Sequence, residues 1–478
     1  MESNEWVLNP SIPHQRFFEE MTRIPHGSYH EKAYGDYLEN FAKEHELEYR
    51  RDEIGNVVMY KPASKGYEDH PYVAIQAHMD MVWAKEPDCD HDFEKEPLKL
   101  YKKDGYLRAK GTTLGADDGT GVAYILALLD HKEAQHPPIE AIFTVQEEVG
   151  LNGAKALKPE EIRSRQLISL DCGGGDSIYI SSLGGFRGKA EKTFATEKAT
   201  GTAWKITVDG LKGGYSSGYM EEQRNAIDLM ARVLEYLNQN GGIRLSSVNG
   251  GVEDSKIATE CQAVLTTQQP EEAFRHAFEK ISRDVKKEAG DAEPDLRIEL
   301  QKDNAEVQLV QKDSDALISM LFLLPCGFRH RHSSFAEIMS ESVNWIFGET
   351  EENKFTLTYA LRGSTDSMVE HMQEEIRMIV ETFGASAAEI SSFPAWEFHD
   401  SRLLHTLQDV FRESEGKELG LIPVQGGLEC GVFAHMYDDM DIIAMGPYGY
   451  DVHTPEEHMD LANFDSLYLV FEKLLAAL

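Results

Sequence analysis

The chain has 478 residues, 41% of them hydrophobic and 27% charged, which is length enough for more than one domain and a large buried core. Its 83 acidic residues against 47 basic ones leave a formal charge of −36, which excludes a polyanionic partner such as nucleic acid. The opening MESNEWVLNPSIPHQRFFEE lacks the basic and apolar regions of a secretion signal, and no apolar run is long enough for a membrane span.

The five cysteines, Cys89, Cys172, Cys261, Cys326 and Cys430, are scattered without CxxC spacing. That pattern fits a reducing cytoplasm better than a disulfide framework or a zinc–cysteine site.

In chain order, residues 1–185 alternate short apolar runs with helical patterns. PYVAIQAHMDMV, PPIEAIFTVQEE and SRQLISLDC read as strands buried on both faces. GTGVAYILALLDHK has helical spacing, with Ala123, Leu126 and Ala127 on one side. This alternation predicts an α/β sheet.

Residues 186–385 change character. AWKITVDG, NAIDLMARVLEYLNQ, IRLSSVNG, ATECQAVLTT, EEAFRHAFEKISRDVKKE and DLRIELQK give the order βαββαβ, which is ferredoxin-like. A similar pattern follows in ALISMLFLLP, FAEIMSESVNWI, KFTLTYALRG, the helix STDSMVEHMQEEIRMIVETF and AAEISSF. Residues 386–478 return to the α/β pattern, with LLHTLQDVFRES as helix, MDIIAMGP as strand and FDSLYLVFEKLLAAL as closing helix. The expected architecture is a discontinuous α/β domain, 1–185 with 386–478, carrying an enlarged α+β insertion.

Chemistry-bearing residues gather at strand ends. His78 and Asp80 close the first buried strand, Asp117 and Asp118 enter a helix in GADDGTG, and Glu147 and Glu148 end the next strand. Asp171 ends another, and His453 follows MDIIAMGP. Open α/β sheets bind ligands at this carboxyl edge. Singly, each motif has an ordinary structural use: Asp118 as a helix N-cap, HxD as a hydrogen-bonded pair, paired glutamates as a solvated face. Together, so many carboxylates at one edge repel unless a cation neutralises them. Imidazole with carboxylate suits zinc or a similar divalent ion, and the surplus of ligands makes a two-metal centre plausible.

On these residues the chain resembles the M20-type metallopeptidases, and among them the aminoacyl-histidine (cytosol non-specific) dipeptidase type. FFEEMTRIPHGSYHE, YRRDEIGNVVMYKPAS, QAHMDMVW, GTTLGADDGTGVA, TVQEEVGLNGA, LISLDCGGG, GGLECGVF and GPYGYDVHTPEE occur in family order. The resemblance implies a di-metal aminopeptidase-like catalytic domain with an inserted ferredoxin-like lid, cutting dipeptides in the cytoplasm. It implies two divalent ions, zinc by preference and cobalt or manganese otherwise. His78, Asp117 and Asp171 would hold one, and Asp117, Glu148 and His453 the other. It further implies Asp80 as the group that orients His78, Glu147 as general base, and Arg362 in ALRGS as the clamp on the substrate's carboxylate. The family's lid mediates dimers in many relatives; a lid of doubled length can complete the site within one chain, so a homodimer is allowed and not required.

Three lid-side or substrate-side positions depart from the family pattern. Where the lid turn usually carries an oxyanion-binding histidine, this chain has Gly213-Gly214-Tyr215-Ser216. SKIAT (Ser255–Thr259) stands where an Asn-Ala-Ile-Pro-like run is usual, and Gln425 stands where relatives often have histidine. Asp118 also replaces a more usual asparagine. A tyrosine hydroxyl donates a neutral hydrogen bond but lacks an imidazolium's charge. Three readings follow: a dipeptidase using Tyr215, or else His330 or His332, on the oxyanion; an M20 deacylase or carboxypeptidase; or a metal-retaining binding protein. The retained Glu147 favours the first. The structural alternative for Tyr215 is that it packs under the turn.

Overall fold

Val73–His78 and Ile139–Thr144 are buried at every residue, so these strands need cover on both faces, as central strands of a parallel sheet do. In the computed structural model, which describes residues 6–215, 223–254, 256–333 and 339–478, they lie at the centre of an eight-stranded sheet. Its order is Glu48–Arg51, Val57–Lys61, Ile139–Thr144, Val73–His78, Gln166–Ser169, Asp441–Ala444, Ser177–Ser182, Gly420–Val424. The four central strands, from Ile139–Thr144 to Asp441–Ala444, run parallel, which aligns their carboxyl ends along one edge. The helix Ala116–Asp130 packs on Val73–His78, and Pro13–Met21 packs on that helix.

This sheet and its helices form one unit, Met1–Ser182 with Trp396–Leu478; Leu183–Ala395 forms a second. The second boundary lies after Ala395, rather than after 385, because Ser386–Phe393 pairs along Gly184–Thr193 inside the second unit's sheet.

Among the described residues that second sheet contains nine strands, eight of them in the order Arg297–Lys302, Thr202–Asp209, Cys261–Thr267, Arg244–Gly250, Met339–Glu351, Lys354–Gly363, Gly184–Thr193, Ser386–Phe393. The first four, numbered by chain position, have the antiparallel order 4-1-3-2 of a ferredoxin-like βαββαβ module. The last four read 2-3-1-4, the same module in mirror order. Two modules therefore meet edge to edge, at the single pair Gly250↔Gly348.

The second module's first strand, Gly184–Thr193, precedes the whole first module in the chain. ALISMLFLLP is accordingly not that strand: it lies in the helix Gln311–Leu323. The first module is thus inserted within the second, and the two-stranded ladder Thr196–Lys198 with Val307–Leu309 closes the insertion at its base.

Asn225 ties the modules together. Its side chain caps the helix Ala226–Gln239 by accepting the Ile227 N–H at 2.9 Å, and its amide donates to Trp345 O at 2.7 Å and Asn344 Oδ1 at 3.2 Å. Of the sequence features singled out above, Ser216–Met220 of the lid turn, Ser255 and the first residues of FAEIMSESVNWI lie outside the described residues.

Asn225→Ala removes a cap and leaves buried carbonyls unpaired, which costs about 2 kcal/mol. The expected outcome is faster amide hydrogen exchange in Ala226–Gln239 and a lower denaturant midpoint; unchanged protection in that helix would contradict the assignment.

Candidate active site

Five segments deliver the site to the carboxyl edge of the first sheet. His78 ends its strand, and its Nε2 lies 3.0 Å from Asp117 Oδ1. His453 Nε2 lies 3.4 Å from Asp117 Oδ2 and 2.9 Å from Glu148 Oε1. Asp117 thus stands between the two imidazoles. Among the described residues, three sets have ligand atoms within 4.8 Å of one another: His78 with Asp117 and Asp171, His78 with Glu147 and Glu148, and Asp117 with Glu148 and His453. Gln146 and His453 both hold left-handed backbone, φ 56° and 65°, which is uncommon outside glycine and gathers where structure enforces an exact placement.

The electrostatics are those of a cation site. Burial, with Asp171 and Glu148 nearby, raises the Glu147 carboxyl well above its ordinary value. Burial and Asp117 push Asp171 up to about 8. Asp117 is lowered instead: burial opposes its charge, but hydrogen bonds from His453 and His78 prevail. The carboxylates of Asp117 and Glu148 beside it push His453 up to about 11.

Glu148 Oε1 is buried and, despite its nearness to His453, lacks a partner of hydrogen-bonding geometry among the described residues. An orphaned buried carboxylate oxygen beside two imidazoles fits a divalent cation as the missing partner.

Asp80 plays a larger part than orienting His78. The Asp80 main-chain carbonyl accepts from His78 Nδ1 at 2.9 Å, while its carboxylate lies 3.6 Å from that nitrogen. The carboxylate's main contacts are the N–H groups of Glu147, at 2.9 Å, and Glu148, at 3.3 Å, and the Ser28 hydroxyl at 2.8 Å. One buried aspartate therefore holds the histidine through its carbonyl and the Glu147–Glu148 backbone through its carboxylate. Asp118 takes its capping role: it accepts the Gly121 N–H at 3.1 Å and the His78 N–H at 3.3 Å. A Cβ on Gly121 would lie 2.5 Å from the Asp118 carboxylate, so this residue must be glycine.

Two acids escape a reading of the sequence. Glu457 is buried, and its carboxylate accepts the N–H groups of Leu114, Gly115 and Ala116 at 2.7, 3.1 and 2.8 Å. It thereby holds the loop that presents Asp117, and burial pushes it up to about 7. Glu429, likewise buried, accepts from Gln76 Nε2, Thr144 Oγ1 and the Ala154 N–H at 2.7, 2.6 and 3.2 Å. The available signal for Glu457 was its position four residues after His453 within GPYGYDVHTPEE.

The remaining expected residues lie in the second unit. Arg362, on Lys354–Gly363, has its guanidinium 5.0 Å from the Phe393 ring centroid. Burial lowers it to about 10, and its Nε has no hydrogen-bond partner among the described residues. Gly185 opposite leaves room for it, since an added Cβ would meet the guanidinium.

Tyr215 does not pack under its turn. It is 64% exposed, pairs with Lys256 in an isolated bridge, and has Lys256 Nζ 5.6 Å from its ring centroid. Glycines at φ 64° and 128° shape the turn, and Gln223 Nε2 and the Ile257 N–H bind its carbonyls. His330 is engaged with Glu341 at 3.0 Å.

The model of peptidase family M20/M25/M40 matches residues 74–477. A cytosol non-specific dipeptidase of Escherichia coli K12 is 29% identical over 464 residues, 96% of each chain. The crystal structure of an aminoacylhistidine dipeptidase from Vibrio alginolyticus is 30% identical and superposes with a TM-score of 0.89 over 100% of this chain and 98% of that one. Human carnosine dipeptidase 1, at 11% identity and a TM-score of 0.52 over 97% and 95% of the two chains, shares the fold.

Because Glu457 acts on the Asp117 loop, Glu457→Gln is expected to weaken divalent-cation affinity by roughly 10- to 100-fold, the usual effect of losing a group that supports a ligand. Competition against a chromogenic chelator measures this; unchanged affinity would show that the loop holds Asp117 unaided.

Proposed function

As the chain belongs to peptidase family M20/M25/M40, we propose that it is a metal-dependent dipeptidase of Xaa-His or broad specificity. The observation that carries this is the pairing of Glu147 with Glu148. Their N–H groups hang on one carboxylate, Asp80, and Glu148 shares a ligand set with Asp117 and His453. A base thereby stands beside a ligand with both backbones fixed, which general-base hydrolysis needs and simple cation storage does not. Near end-to-end similarity to proteins named as dipeptidases supports the substrate class.

In this reading His78, Asp117 and Asp171 hold one divalent ion, Asp117, Glu148 and His453 the other, with Asp117 shared. Mixed imidazole and carboxylate ligands suit zinc, and also cobalt or manganese. When bound, the ions supply Lewis acidity toward the peptide carbonyl and acidity to water. Glu147 takes the proton of the attacking water and returns it to the leaving amine. Asp80 and Glu457 keep the ligands in place. Residues 183–395 act as the lid: Arg362 binds the substrate's carboxylate, its fork matching two oxygens, and the Tyr215 hydroxyl donates to the developing oxyanion. The substrate is a small peptide met in the cytoplasm. Among the described residues no helix is long and apolar enough to cross a membrane.

The full chain loaded with zinc, cobalt or manganese should hydrolyse dipeptides and spare N-acyl amino acids. Glu147→Gln should lower kcat by at least about 100-fold with metal content retained. No hydrolysis by the metal-loaded chain, or cleavage of N-acyl amino acids alone, would overturn the proposal. Tyr215→Phe should reduce kcat by roughly 100-fold without changing metal content; an unchanged rate would remove Tyr215 from the mechanism.

A further inference from the structure

Residues 26–31, His-Gly-Ser-Tyr-His-Glu, belong to none of the three ligand sets, yet they lie against the segments that carry Asp80 and Glu147. Gly27 forms a parallel bridge with Met81, and the Met81 N–H donates to His26 O at 3.1 Å. Three residues beyond Ser28, whose hydroxyl binds Asp80, stands the buried Glu31. Its Oε1 accepts the N–H of Gln146 at 3.1 Å and that of Tyr29 at 3.0 Å. One residue before Gln146, the Val145 N–H donates to Asn56 Oδ1 at 3.1 Å. With Asp80 accepting from Glu147 and Glu148, four successive N–H groups, 145 to 148, are each held by a side-chain oxygen.

We propose that Glu31 is a positioning residue for hydrolysis: by holding the Gln146 N–H it sets the direction in which the next residue, Glu147, presents its carboxylate. The inference rests on the dipeptidase reading with Glu147 as general base, and adds to it the group that aims that base.

Three observations carry it. Gln146 has left-handed backbone, φ 56°, a conformation that a non-glycine residue keeps only where its surroundings impose it. Successive N–H groups turned to one side form a concavity that binds anions; here Glu31 and Asp80 fill it, which leaves the Glu147 side chain to the other side. Second, Glu31 precedes the helix Lys32–Glu44, but its side chain makes no capping bond there among the described residues. Its oxygen is committed to the turns at Tyr29 and Gln146 instead. Third, Glu31 touches the backbone before the base and none of the proposed ligand side chains. Asp80 continues to hold the Glu148 N–H without it, so losing Glu31 displaces the base more than the metals. A misplacement of about 1 Å is enough to cost roughly 100-fold in rate.

Steady-state kinetics of the metal-loaded full chain, on dipeptides that the unsubstituted chain hydrolyses, test this. Glu31→Ala should lower kcat by roughly 10- to 100-fold, with KM and divalent-cation affinity within about threefold of the unsubstituted chain. Glu31→Gln keeps an acceptor at the same place and should retain kcat within about threefold. Glu31→Asp withdraws the oxygen by one methylene and should fall in the same direction as Glu31→Ala; it serves in its place should the alanine variant fail to fold. An unchanged kcat in the alanine or aspartate variant, a loss of cation affinity that matches the loss of kcat, or a glutamine variant as slow as the alanine one would each overturn the assignment.

Amide hydrogen exchange in the full chain tests the same contact without turnover. Glu31→Ala should speed exchange at Gln146 by at least about tenfold and leave Val73–His78 unchanged. Unchanged exchange at Gln146 would overturn the inference and leave the dipeptidase reading standing. Hydrolysis of no dipeptide by the unsubstituted chain would overturn that reading, and with it the role given to Glu31.

Discussion

The constraint on which this structure turns is the convergence of five carboxylates and two imidazoles at the carboxyl edge of a parallel sheet. Asp117 occupies the critical point, 3.0 Å from one histidine and 3.4 Å from the other. Such a group of like charges disperses unless each member is held from behind. The holding groups are themselves acids: Asp80 clamps Glu147 and Glu148, Glu457 clamps the Asp117 loop, and Glu429 ties two strands to Ala154. Farther away Glu140 accepts the Arg163 and Ser164 N–H groups at 3.0 and 3.1 Å. A buried carboxylate that accepts two or three backbone N–H groups recovers part of its lost hydration without needing a cation. Most of the chain's negative charge lies at the surface, but this small buried share shapes the site.

The second unit solves a different problem. A four-stranded ferredoxin-like module has an open strand at each edge, and open edges are liable to pair with other chains. Here two modules set corresponding edges together, so each covers one edge of the other. Among the described residues, ladder pairing between them is limited to Gly250 and Gly348, and the Asn225 side chain adds two hydrogen bonds across the junction. Since one module is inserted within the other, the Thr196–Lys198 and Val307–Leu309 ladder brings the two crossing points together.

The first unit was legible in the sequence because its signals are local. Fully apolar runs such as VAIQAH and IEAIFT have few alternatives to a doubly covered strand, and the site residues follow those runs within a few positions. The ferredoxin-like order of the first module was legible for the same reason. The second module was not, because Gly184–Thr193 is separated from its partner strands by the whole inserted module and alternates polar residues with small ones. ALISMLFLLP illustrates the ambiguity of short apolar runs, which periodicity cannot divide between strand and helix; only the strand supplied from upstream leaves it free to be a helix. Glu457 and Glu429 were hidden for another reason. An acid that binds backbone N–H groups in the interior has the same letter as one on the surface, in a chain with 83 acidic residues. Tyr215 was visible as a departure, but its exposure was not.

The central claim is that Asp117 is shared between two cation sites. Crystals of the full chain grown with zinc, with anomalous diffraction recorded on both sides of the zinc edge, test it directly. The account predicts two anomalous peaks, one among His78, Asp117 and Asp171 and one among Asp117, Glu148 and His453, with a different Asp117 oxygen facing each. A single peak that leaves Asp117 bound on one side only, or peaks held by other residues, would contradict it.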